Sequence, residues 1–155
     1  MESLALKDEL AKAKAYALRF LKVRSRSEKE IRDHLARKSL TEAVIAQTLQ
    51  DLKTLRLIDD RQFASEWIGW RLKKPFGLRR ISWELQGKGI DKEIIKEEIQ
   101  NQLEGYEEEK VLEALAQRYL ARKRSDPQKL KRRVFAYLAR RGFETEAIQK
   151  VINHL

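Results

Sequence analysis

The sequence has no cysteine, two prolines, six glycines and one methionine among 155 residues. Without cysteine there is no disulfide framework, thiolate zinc site, iron–sulfur cluster or thiol nucleophile, and a reducing compartment, the cytoplasm, is the natural home. Long apolar runs are missing as well. The opening stretch MESLALKDELAKAKAY mixes acids and bases from Glu2 onward, so no signal peptide or membrane helix is expected and the protein reads as soluble. No alternating apolar–polar run is long enough for a strand. The phosphate-loop, dinucleotide, nucleophile-elbow and zinc-protease strings are all absent, which leaves catalysis without visible machinery. A non-enzyme without cofactor or metal is the reading.

Charge is what the sequence has in excess. Charged residues make up 37% and hydrophobic residues 42%, with 34 Lys plus Arg against 24 Asp plus Glu, a net charge of +10. Globular chains carry roughly 25% charged residues. So much surface for so modest a core fits an elongated helical protein better than a ball. The pI near 9.9 calls for an anionic partner, whether nucleic acid, acidic protein or membrane surface.

A repeat organises the chain. Ile31, Leu35, Ser39, Leu40, Val44, Ile45 and Leu49 recur fifty positions on as Ile81, Leu85, Gly89, Ile90, Ile94, Ile95 and Ile99. A shift of fifty-three more gives Val134, Leu138, Gly142, Phe143, Ala147, Ile148 and Ile152. Within each copy a spacing of four marks a helix face, and the small residue after it sits where a helix ends in the left-handed conformation. Thr41, Asp91 and either Glu144 or Thr145 then open a second helix. Upstream of each pair lies a third amphipathic segment, at Leu10–Val23, Phe63–Leu72 and Val111–Leu120. Asp59 and Asp60 read as caps, and Pro127 after Asp126 as a first-turn proline. The expected fold is all-α: three tandem three-helix repeats, 1–58, 59–104 and 105–155, in an elongated, curved array whose hand is open. The units carry net charges of +5, 0 and +5.

Helical geometry sorts the candidate contact residues. On the helix around Val134, Lys129, Arg132, Arg133 and Arg140 gather opposite the apolar face as a cationic stripe, suited to phosphates or carboxylates unless it is only a solvated back. Trp83 falls about 160 degrees from Ile81, with Arg79 on the same outer side and Arg80 near its edge. Its repeat equivalents are Asp33 and Ala136, so the three-helix core does not call for a large apolar residue there. Either Trp83 packs on a neighbouring unit or it belongs to an interface hot spot, where Trp and Arg are enriched. The connection Trp70-Arg71-Leu72-Lys73-Lys74-Pro75-Phe76-Gly77 adds Arg71, Lys73 and Lys74 to the candidates; Phe63 and Trp67 read as core, and Trp70 as either. Asp59–Asp60 lacks the His or further carboxylate that a metal site needs, and His34 and His154 stand alone.

Three segments resemble the RecX family, bacterial regulators of the RecA recombinase. They are Ala17-Leu18-Arg19-Phe20-Leu21 leading to Arg24-Ser25-Arg26-Ser27-Glu28-Lys29-Glu30-Ile31 and Leu35; Leu57-Ile58-Asp59-Asp60-Arg61-Gln62-Phe63-Ala64; and Gly77-Leu78-Arg79-Arg80-Ile81 with Glu84-Leu85 and Lys88-Gly89-Ile90. Arg140-Arg141-Gly142-Phe143 fits more weakly, and Ser39 stands where the family usually has Gly. The resemblance implies a non-catalytic protein that lies in the groove of RecA filaments on DNA and restrains ATP hydrolysis, strand exchange and stimulation of repressor cleavage in the SOS response; a monomer is the working expectation, with dimerisation left open. DNA contact alone would then be weak and non-specific. The alternative is a sequence-specific DNA-binding protein, since three-helix units with tight turns also present recognition helices. A compact chain of this length has a radius of gyration of roughly 15 Å. Solution scattering should return a clearly larger value beside an overwhelmingly helical circular-dichroism spectrum; a value at 15 Å would refute the tandem array.

Overall fold

The computed structural model describes residues 2–155, and these contain nine helices and no strand. The first unit comprises α1 (Glu2–Leu21), α2 (Glu28–Ala36) and α3 (Glu42–Thr54). The second comprises α4 (Asp60–Leu72), α5 (Leu78–Gly87) and α6 (Lys92–Gln102), and the third α7 (Glu108–Ala121), α8 (Pro127–Arg140) and α9 (Thr145–Asn153). Each unit closes its own core. Ile31, Leu35, Ile45 and Leu49 pack with Ala13 and Ala17 of α1; Ile81, Leu85, Ile90 and Ile95 with Phe63, Ala64 and Ile68 of α4; and Val134, Leu138, Phe143, Ile148 and Ile152 with Leu112, Leu115 and Ala116 of α7. The apolar repeat positions therefore lie in the cores or pack against them. Val23 does not: it lies beyond the end of α1 and is exposed.

The second helix of each unit ends as its spacing requires. Gly89 (φ +78°) and Gly142 (φ +87°) adopt the left-handed conformation, and Ser39 does so at φ +57°. After α5 the amides of Gly89 and Ile90 return to the carbonyls of Gln86 and Leu85, the paired closure of a Schellman motif. Thr41 and Asp91 cap α3 and α6 through their side chains, whereas Glu144 precedes α9 without a side-chain cap.

Helix-on-helix packing stays within units; between units it is helix ends and loops that meet. The Ser27 hydroxyl, at the start of α2, donates to the carbonyl of Lys88 at the end of α5 (2.7 Å). Fifty residues on, the Gly77 amide at the start of α5 donates to the carbonyl of Arg141 at the end of α8 (2.9 Å). The second helices thus follow one another end to end, α8 to α5 to α2, with the negative end of one dipole facing the positive end of the next. Each contact carries a second bond of the same kind. The first-turn amide of Glu28 donates to the Asp60 carboxylate (2.8 Å), and that of Leu78 to the Glu108 carboxylate (3.2 Å). This corrects the expectation for Asp60. Asp59 alone caps α4, through the amides of Arg61 and Gln62, and Asp60 reaches back to the preceding unit. Burial pushes both joint carboxyls, Asp60 and Glu108, above the usual range, against the pull of the amide each accepts.

The first joint adds charge. Glu30 accepts from Arg24 (2.8 Å), Lys88 (2.9 Å) and the Ser27 amide (3.1 Å). Burial disfavours its ionised form, but these donors outweigh it and hold its pKa at about 2. The second joint is tighter. A Cβ on Gly77 would strike the Gly142 carbonyl, and one on Gly142 would strike Arg80. Units strung end to end leave much surface in water: the accessible area is 10643 Å², against roughly 8,100 Å² for a compact monomer of this mass.

Gly77 has an ordinary φ of −74°, so replacing it tests the joint without backbone strain, apart from the few tenths of a kcal/mol or so by which Ala is the poorer N-cap. Gly77→Ala should cost about 1–3 kcal/mol, as overpacking against unyielding backbone does. Gly105→Ala (φ +78°, open space around the Cβ) should cost about 1 kcal/mol from the backbone conformation only. Urea unfolding of the two variants separates these effects, and an unchanged midpoint in Gly77→Ala would mean that the joint does not hold the units together.

Candidate partner interface

The middle unit presents α5 to solvent along one edge. Ile81 and Leu85 face the core, which turns Arg79 and Trp83 outward. Arg79 is exposed, and Trp83 is the most exposed tryptophan, at 74%. At that exposure Trp83 is not buried against a neighbouring unit.

What lies beside it follows from the second joint. Because α8 ends at the start of α5, the last turn of α8 closes one wall of a groove of about 450 Å³ lined by Arg79, Arg80, Trp83, Glu84, Ala139 and Arg140. Four of the candidate residues, Arg79, Arg80, Trp83 and Arg140, therefore come together across the boundary between two units. Trp83 also borders a second groove, of about 470 Å³, on its other side with Trp67, Gln86 and Lys88. Lys129, Arg132 and Arg133 are exposed on the outer face of the same helix as Arg140. Among the described residues none of these four cations forms an ion pair.

Arg71, Lys73 and Lys74 fall elsewhere. Arg71 is largely buried and pairs in two-pronged fashion with Glu84 (2.8 and 2.9 Å), so its guanidinium is committed inside the unit and positions α5 against α4. Lys73 and Lys74 are exposed but line a separate groove with Arg118. Trp70 is half in solvent, edge-on to Trp67, with Lys74 over its ring at 4.6 Å.

Glu84 is the residue that sequence reasoning passed over. It accepts from the Trp67 indole (3.0 Å), from Arg71 and from Arg80 (3.2 Å), and its side chain is 12% exposed. The spacing of four from Arg80 was visible; the bonds from α4 arise only when α4 and α5 pack. Phe76 completes the cluster, with the guanidinium carbons of Arg80, Arg71 and Arg141 at 4.2, 4.9 and 5.9 Å from its ring. Stacked cations of this kind are held in place by ring quadrupole and carboxylate together. Arg80 is thus held against Glu84 and Phe76, while Arg79 and Trp83 beside it remain exposed.

No group of His, Cys, Asp or Glu suited to a metal occurs among the described residues. His34 stacks on Phe20 (centroids 4.1 Å apart), and burial, with the nearby Lys38, Arg37 and Arg26, lowers its pKa. No helix among the described residues is long and apolar enough to cross a membrane.

Comparison with known proteins places this geometry. The profiles of the RecX first, second and third three-helix domains match residues 13–52, 59–98 and 107–152. The chain belongs to the RecX family. It is 37% identical over 146 residues to the regulatory protein RecX of Chlorobium phaeobacteroides (strain BS1), covering 93% of each chain. The regulatory protein RecX of Mycobacterium sp. (strain KMS) is 34% identical over 146 residues, 90% of this chain and 79% of that one. The crystal structure of RecX from Lactobacillus salivarius shares the fold, with a TM-score of 0.81 at 24% identity over 96% of this chain and 97% of that one. The fold and family expected from the sequence are thereby established, and the relatives carry the name regulatory protein. The groove at Trp83 lies where the second and third RecX domains meet.

Removing the charge that organises this wall should be costly. Glu84→Gln leaves Arg71 and Arg80 without their anion, and breaking one side of a largely buried pair costs on the order of 3 kcal/mol. Thermal unfolding should show that loss in Glu84→Gln and almost none in Arg79→Ala; equal melting temperatures would deny Glu84 its organising role.

Proposed function

We propose that this RecX-family protein is a non-catalytic, cytoplasmic regulator that lies lengthwise on RecA filaments formed on DNA and restrains their ATP hydrolysis, strand exchange and stimulation of repressor cleavage. The observation that carries the reading is the groove across the second joint, where exposed Trp83 stands with Arg79, Arg80 and Arg140. Trp and Arg are the side chains most enriched at interface hot spots, and Arg forks bind carboxylate or phosphate equally well. A partner made of protein and nucleic acid side by side offers both. Lys129, Arg132 and Arg133 extend the cationic face along α8, where they draw the DNA phosphates weakly and without regard to sequence.

Shape supports the same reading. Units joined in a row meet a helical filament at successive subunits, so modest contacts add to a strong one through effective concentration. A monomer that ties adjacent subunits together opposes the motions that ATP turnover requires, because it binds one filament conformation better than the other.

Truncation of Trp83 tests the face. Trp83→Ala, and Arg79→Ala with Arg80→Ala, should weaken co-sedimentation with RecA filaments and inhibition of DNA-dependent ATP hydrolysis by more than tenfold, about 2 kcal/mol for a hot spot. Melting temperatures should shift little for Trp83→Ala and for Arg79→Ala alone, as exposed substitutions change stability by about 0.5 kcal/mol, and more where Arg80 loses its bond to Glu84. Normal inhibition by Trp83→Ala would remove this face from the contact. A wild-type chain that ignored RecA filaments but selected one site from random duplexes would overturn the filament reading in favour of an operator-binding protein.

A further inference from the structure

The groove that holds Lys73 and Lys74 is built differently from the one at Trp83. Its floor is aliphatic. Val111, Ala114 and Leu115 follow one another at helical spacing along α7, and Leu72, from the end of α4, meets them across a space of about 250 Å³. Its charged lining is of one sign: Lys73 and Lys74 from the connection after α4 and Arg118 one turn beyond Leu115, with no carboxylate. All three cations are exposed, and Ala114 leaves part of the floor open to solvent. Each cation also sits near a helix C-terminus, where positive charge is favourable. That preference accounts for each residue singly. It does not account for three of them converging on uncovered aliphatic carbon from two different units.

We propose that this groove is a docking site for an acidic peptide segment bearing a leucine-like side chain, distinct from the surface around Trp83. The carboxylates would pair with Lys73 and the Arg118 fork, with Lys74, whose ammonium sits over Trp70, at the rim, and the apolar side chain would cover Ala114 and the half-buried Val111 and Leu72. Charge complementarity alone admits nucleic acid too, but the floor decides between them. Bases bind single strands chiefly by stacking on aromatic rings, and the floor has none; aliphatic carbon is best matched by a leucine-sized side chain, where nucleic acid offers at most the thymine methyl. The site draws on both the second and third units, so it exists only while the second joint holds them together.

The test is fluorescence anisotropy on the full chain. The probe is a fluorescein-labelled peptide of Asp and Glu carrying two Leu residues four apart, compared with the same peptide with Gln and Asn for the acids, the same peptide with Ser for Leu, and a labelled oligo-dT strand. The acidic Leu peptide should bind, and each altered peptide should bind about tenfold more weakly. Ala114→Glu places a helix-compatible like charge on the exposed floor; it should weaken the acidic Leu peptide about tenfold, leave oligo-dT within about twofold and melt as wild type. Arg118→Gln gives a second route to the same loss without added bulk. Absence of peptide binding, indifference to the Leu-to-Ser change, or equal losses for peptide and oligo-dT in Ala114→Glu would each overturn the proposal, the last in favour of a nucleic-acid groove.

Discussion

A helix that starts at a junction has first-turn amides with no intrahelical partner, and they must be satisfied from outside. Much of this architecture follows from how α2 and α5 meet that demand. Ser27 and Gly77 open these helices fifty residues apart, and in both cases the following unit supplies a carboxylate from its first helix, Asp60 or Glu108, to a first-turn amide, and a carbonyl from the end of its second, Lys88 to the Ser27 hydroxyl or Arg141 to the Gly77 amide. One solution is used twice with different side chains. α8 meets no following unit in this chain and solves the problem locally: Asp126 caps it, and Pro127 in the first turn has no amide to satisfy.

The candidate interface is a by-product of that arrangement. Bringing the end of α8 to the start of α5 is what sets Arg140 beside Arg79, Arg80 and Trp83. The same joint leaves Lys73 and Lys74 facing α7. Inside the unit, Glu84 divides the arginines by role. Arg71 and Arg80 share its carboxylate, which fixes α5 to α4, whereas Arg79, two positions from the core residue Ile81, has no such tie and stays in water.

The periodic residues made the nine helices and three cores legible, because each copy repeats the same face at the same spacing and ends in a left-handed residue. The outward direction of Trp83 was legible for the same reason: a helix wheel fixed by Ile81 and Leu85 leaves little choice. The joints were not. Asp59 and Asp60 look alike as a pair before a helix, and only the neighbouring unit distinguishes the one that caps α4 from the one that caps α2. Arg71 looked like Lys73 and Lys74 because charge in a linear sequence carries no information about a carboxylate thirteen residues away on another helix. Contacts whose partners lie in different elements are settled by packing, not by period.

The two joints also differ in what sustains them, and the difference bears on regulation. At the first, Glu30 is held by Arg24 and Lys88, and the Arg24 side chain is 42% exposed, so added salt weakens that part of the joint. At the second, the Gly77 amide bonds directly to the Arg141 carbonyl, and two glycines allow backbone to meet backbone; neither contact depends on ionic strength. The surface around Trp83 and the groove at Lys73 both span the second joint. The two candidate recognition surfaces therefore lie on the joint where backbone meets backbone directly, and the first unit hangs on the joint that relies more on exposed charge.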